Sequence, residues 1–137
     1  MNKADLEKLT ELRLEEGRLL LENKLYSGAY YLLGYAIECA LKACIAKNIR
    51  EYEFPDKNFV NKIYTHNLEQ LLKSAELENK LNEIRKQDLD FDSNWNSIRD
   101  WSETSRYEER TQIEAKNLYD SINDDEKGIL KWIRQYW

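Results

Sequence analysis

The stretch "AYYLLGYAIECALKACIA", residues 29 to 46, is apolar almost throughout, and its only charges, Glu38 and Lys42, stand four residues apart. About 18 apolar residues is the lower limit for a helix that crosses a bilayer. A charge at the centre of such a span costs roughly 2.5–3.5 kcal/mol on insertion scales. Three tyrosines and an ion pair argue against lipid and for a core helix of a globular domain, with one face given to a polar task. That helix dictates the class of fold, because a long helix that is apolar nearly all round must be surrounded by other helices or a sheet. Strand signals are nearly absent, with Val60 the only valine, while four Gly and one Pro leave the helical periodicity little interrupted. An all-α fold is therefore expected. At 137 residues the chain fits one domain, residues 1–137.

Two stripes run along this helix. Ala29, Leu33, Ala36, Ala40 and Ala43 or Cys44 recur at steps of three and four and form a small-residue face suited to close helix packing. Tyr31, Tyr35, Glu38 and Lys42 follow a second line at steps of four, three and four. The order Glu38 to Lys42 is the favourable one for an i,i+4 pair, worth about 0.2–0.5 kcal/mol when exposed. So small an energy does not account for two charges in such surroundings, and Glu38 is expected to be buried in a polar network, with Arg106 as a partner.

Ahead of this helix, residues 4 to 24 read as an amphipathic helix with Leu6, Leu9, Leu12, Leu19 and Leu20 inward, and Ser27-Gly28 as the break between the two. Residues 49 to 66, with Pro55, read as a connection with a helical turn around Phe59 to Ile63. Asn67 is a good N-cap with Gln70 three residues on, which predicts a helix through Leu68, Leu71, Leu72 and Ala75, followed by a segment with Leu77, Leu81 and Ile84. "DLDFDSNW" predicts a break before Trp95, Ile98 and Trp101, and "SETSRY" another. A helix resumes near Glu109, and "SINDDEKG" is expected to cap a last helix through Ile133 and to supply its first-turn acids.

Several chemistries are excluded by inventory. A net charge of −5 argues against gripping long nucleic acid through the overall field. Cys39 and Cys44, five residues apart on one helix, are about 7.5 Å apart by helical rise, too far for a disulfide, and are expected as reduced thiols in the core. One histidine and two cysteines do not make a zinc site or a paired-metal bundle, and no phosphate-binding glycine loop occurs, so no metal or cofactor is expected. The charged, amphipathic N-terminus shows neither a secretory signal nor an anchor, which reads as a cytoplasmic protein. His66, immediately before an N-cap, either closes the helix end or faces a cleft. Trp101, Arg106 and Tyr107 bring an indole, a guanidinium and a phenol to a helix break, a set that serves equally to stack a base and hold a phosphate or to form a structural corner.

Taken in order, the Tyr-rich helix ending in Glu38-x-x-x-Lys42, the His66-Asn67-Leu68 helix start, and Trp101 with Arg106-Tyr107 resemble the HEPN domain, named for higher eukaryotes and prokaryotes nucleotide-binding. The resemblance covers roughly residues 4 to 122. It implies an up-and-down bundle of four to five helices, commonly a homodimer. It further implies a role in binding nucleotides or RNA, with a small nucleotidyltransferase or another protein as partner, or metal-independent RNA cleavage in toxin–antitoxin, defence or RNA-processing systems. The family's ribonuclease signature is an Arg, usually a polar residue, then four to six residues and a His. Here Arg106 is followed at those distances by Thr111, Gln112 and Ile113, and Arg110 by Ala115, Lys116 and Asn117. No histidine fills the slot, which favours binding over cleavage, with an unorthodox ribonuclease or a purely structural dimerisation module as the alternatives. Candidate ligand-binding residues are Tyr31, Tyr35, Glu38, Lys42, His66, Trp101, Arg106 and Tyr107.

Overall fold

The computed structural model describes residues 1–49, 54 and 56–137. Among these, α1 (Lys3–Glu22), α2 (Tyr26–Asn48), α3 (Lys57–Ile63), α4 (Leu68–Ser74), α5 (Glu78–Gln87), α6 (Leu89–Arg99), α7 (Gln112–Asn123) and α8 (Ile129–Arg134) are joined by one short 3-10 helix, Glu103–Tyr107, and there is no strand. The expected all-α bundle is thus present, divided more finely than the periodicity suggested. Pro55, counted in the predicted connection, lies outside the described residues.

The axis of the molecule is α2. Ala29, Leu33, Ala36, Ala40 and Ala43 are all fully buried, as the small-residue stripe requires, and α1, α4, α7, α8 and the 3-10 helix pack around them. By length and composition α2 is the one described helix able to cross a membrane, but 72% of its apolar window is buried inside the molecule, where a core helix lies.

Close approach of α1 depends on Gly17, where an added Cβ would stand 2.6 Å from Leu33 Cγ. The inward line of α1 runs through Thr10, Leu14, Gly17, Leu20 and Leu21, so Leu20 is inward as expected, whereas Leu12 and Leu19, assigned inward from the sequence, are 44% exposed. A tally of leucines missed that two small residues, Thr10 and Gly17, mark the tightest part of the contact; Thr10 satisfies its own hydroxyl by donating to Leu6 O at 2.9 Å.

The break between α1 and α2 also lies earlier than Ser27-Gly28, which fall inside the first turn of α2. The chain reverses at Lys24, whose φ of 64° is left-handed. Leu25 N donates to Leu20 O and Lys24 N to Leu21 O, the paired bonds of a Schellman ending, here with Lys where Gly is usual. Glu76 repeats the arrangement after α4, with φ 60° and Leu77 N bonded to Leu72 O.

Local capping explains the remaining boundaries. Asn67 accepts from Gln70 N at 3.0 Å and starts α4 as expected, although its own N–H goes to Thr65 Oγ1 rather than back to Gln70. The break expected in "DLDFDSNW" is present but confined to Asp88, between the end of α5 at Gln87 and the start of α6 at Leu89. Asp88 accepts from Asp90 N and Phe91 N, both at 3.1 Å, and Asp90 and Asp92 occupy the first turn of α6, where the helix dipole favours acids. Thr111 and Glu114 form a capping box that starts α7 at Gln112, three residues later than predicted. The acids of "SINDDEKG" do not enter α8, whose first turn has none. Asp124 instead closes a turn by accepting from Glu126 N and Lys127 N, and Gly128 starts the helix at a point where a Cβ would lie 2.5 Å from Asp124 O.

Candidate ligand-binding site

The polar stripe of α2 faces a cleft of about 770 Å³ bounded by α1, α2 and the end of α3. Tyr31, Tyr35, Glu38 and Lys42 line it from α2, Arg13 and Glu16 from α1, and Ile63 and Tyr64 from the far wall. The sequence reading missed Arg13, Glu16 and Tyr64. Arg13 and Glu16, bonded at 2.6 Å, look in sequence like any of the surface pairs on α1, such as Arg18 with Glu15. The exposed Tyr64 had only its two-residue distance from His66 to mark it.

Glu38 is the centre of the polar set and is 1% exposed. Its Oε1 lies 2.7 Å from Nδ1 of His66 and its Oε2 accepts from Lys42 Nζ at 3.3 Å. Expected burial and an expected polar network are thus both found, but the partner is not Arg106. His66 reaches Glu38 because Asn67 caps α4 and α4 packs on α2, which sets the residue just before the cap against the polar stripe. A buried carboxylate stripped of water needs such partners, and a neutral or positive donor on each oxygen supplies them.

An aromatic cluster sits beside this group. The Trp101 ring stacks on Tyr31 with centroids 6.2 Å apart and meets Tyr35 edge-on at 6.1 Å, while Tyr35 lies 6.3 Å from the His66 ring. Trp101 is 2% exposed and rests on the α2 backbone at Gly34, where a Cβ would come within 2.2 Å of the indole. Its Nε1 is buried and unpartnered among the described residues. Six of the eight residues singled out from sequence, Tyr31, Tyr35, Glu38, Lys42, His66 and Trp101, therefore converge.

Arg106 and Tyr107 do not join them through any described hydrogen bond or ion pair. Tyr107 is 83% exposed, and the Arg106 guanidinium stands over its ring at 5.4 Å. The 3-10 helix explains the separation. Ser105 is buried against the core, so the next two side chains turn outward, while Trp101, before the turn, points in.

The thiols are core groups. Burial, reinforced at Cys39 by the charge of Glu38, pushes both Cys39 and Cys44 up to about 11, so neither is a ready nucleophile at neutral pH. Burial also raises the Tyr35 phenol, with Glu38 adding to the effect. No cluster of His, Cys, Asp and Glu among the described residues has the geometry to hold a metal ion.

Comparison with known proteins fits this arrangement to a family. No curated protein and no solved structure matches the chain. The family model for the HEPN domain matches residues 8–136, nearly the whole length, and reaches past the segment that carried the resemblance in sequence. The chain belongs to the HEPN domain family.

Proposed function

We propose that this HEPN domain is a nucleotide- or RNA-binding and partner-binding module, and that the cleft between α1, α2 and α3 is its ligand site. The observation that carries the reading is the content of that cleft: the phenols of Tyr31 and Tyr35 beside the cations of Arg13 and Lys42, in a volume of about 770 Å³ that suits a mononucleotide. Family membership makes a nucleotide- or RNA-related role the general expectation, and the absence of a histidine separated by four to six residues from Arg106 or Arg110 favours binding over cleavage. In this reading the protein is a cytoplasmic homodimer, encoded with a nucleotidyltransferase or other partner in a prokaryotic toxin–antitoxin or defence setting.

Titration of the protein with AMP and with a short single-stranded RNA, followed by tryptophan fluorescence, tests the reading. Saturable binding that weakens in Lys42→Ala and Arg13→Ala supports it, and absence of saturable binding to either ligand overturns it. Sedimentation at micromolar concentration tests the dimer, which a lone 16.5 kDa species would contradict. One observation favours a second reading, cleavage by a non-standard set: the carboxylate–imidazole pair of Glu38 and His66 has the form of a proton-accepting dyad. Labelled RNA incubated without metal decides between them, with no cleavage expected.

A further inference from the structure

We infer that Glu38 fixes the hydrogen-bonding polarity of His66, so that the imidazole offers Nε2 as an acceptor at the rim of the cleft, and that the group it accepts from is a ribose hydroxyl of the bound nucleotide. This rests on the nucleotide-binding reading above and adds to it the part of the ligand that is read and the residues that read it.

An ionised carboxylate has no proton to give. At 2.7 Å from Oε1, Nδ1 of His66 must therefore carry the hydrogen. Lys42 occupies Oε2 as a second donor, so the whole carboxylate acts as an acceptor and has no reason to reverse its role toward the ring. A neutral imidazole with Nδ1–H has its lone pair on Nε2. This is the minor tautomer of free histidine, and a neighbour has to impose it.

The side chain of His66 is 39% exposed, and no described residue bonds to Nε2. Glu38 and Tyr35, both beside His66, and Tyr64 two residues before it line the cleft, so the imidazole borders it through these neighbours without being one of the lining residues. A lone pair there suits a ligand hydrogen and not a phosphate oxygen, which itself can only accept. Ribose hydroxyls are the donors that a nucleotide carries between its base and its phosphate, within reach of a rim residue while the base lies among the tyrosines and the phosphate near a cation.

Two measurements on the whole protein test this. His66 is the only histidine, so long-range nitrogen–proton NMR at mildly alkaline pH reads its tautomer without assignment ambiguity. The expected spectrum has Nδ1 protonated and Nε2 bare, and the opposite pattern overturns the proposal. The second measurement compares binding of AMP, 2′-deoxy-AMP, 3′-deoxy-AMP and IMP. At least one of the deoxynucleotides is expected to bind about tenfold more weakly than AMP, the size of one lost hydrogen bond. His66→Phe, which keeps a ring and loses the acceptor, is expected to bind all of them alike, and Glu38→Gln, which can donate to Nδ1, to mix the tautomers and shrink the ratio.

Equal binding of AMP and both deoxynucleotides overturns the inference and leaves the binding reading standing. Selective loss with IMP alone also overturns it, since the group read is then the base amine. Failure of every nucleotide to bind removes the functional reading itself. A histidine that merely closes the start of α4 shows the same tautomer without the hydroxyl preference, so support requires both results.

Discussion

The polar face of α2 and the 3-10 helix at Glu103–Tyr107 both carry candidate site residues, and the fold treats them in opposite ways. On α2 a carboxylate is 1% exposed and bonded on both oxygens. On the 3-10 helix a guanidinium and a phenol stack on each other in water, with only Ser105 between them and the core. The difference shows that residue chemistry proposes a site and the packing around it disposes. A charge held in an apolar wall must be matched by fixed partners, which is what gives it a defined geometry, whereas an exposed charge is matched by water and keeps its freedom.

Trp101 is where the two regions join, and its removal should do most damage. The indole fills the space over Gly34 and touches Tyr31 and Tyr35, so Trp101→Ala is expected to cost about 3–5 kcal/mol in urea unfolding. A cost under about 1 kcal/mol would mean that the aromatic cluster is a loose surface feature and not the wall of a site.

Next in size is Glu38→Gln. Breaking a fully buried pair costs about 3–5 kcal/mol. Lys42 and His66 are 22% and 39% exposed and can regain water, which brings the expected loss down to about 2 kcal/mol. A few tenths would place Glu38 in the same category as Arg106.

Legibility in the sequence followed the range of the interaction. Glu38 and Lys42 could be paired from their spacing because one helix makes both positions neighbours. The contact from Glu38 to His66 spans 28 residues and one further helix, α3, and no periodicity encodes it. Beside Lys42, the expected partner of Glu38 was Arg106, whereas the partner found is His66, a residue already marked as facing either a helix end or a cleft. The acids expected in the first turn of α8 were misread at Asp124, because an acid that closes a turn and an acid inside a helix start look alike until the donors are known. At the start of α2 the misleading signal was Gly28, since the reversal uses Lys24 in a conformation that glycine would adopt more cheaply.

That last point gives a smaller effect of opposite sign, away from both regions. Lys24→Gly should stabilise the protein by roughly 0.5–1 kcal/mol by relieving the left-handed strain in the Schellman turn. Binding of AMP should be unchanged, which would separate global stability from the site. Destabilisation would show that the Lys24 side chain contributes something its backbone angle hides.

The most direct test of the account is a pair of double-mutant cycles by urea unfolding: Glu38→Gln with His66→Phe, and Glu38→Gln with Arg106→Gln. The structure predicts a coupling energy of about 1 kcal/mol or more in the first cycle and none beyond about 0.3 kcal/mol in the second. Coupling to Arg106, or strict additivity with His66, would contradict it.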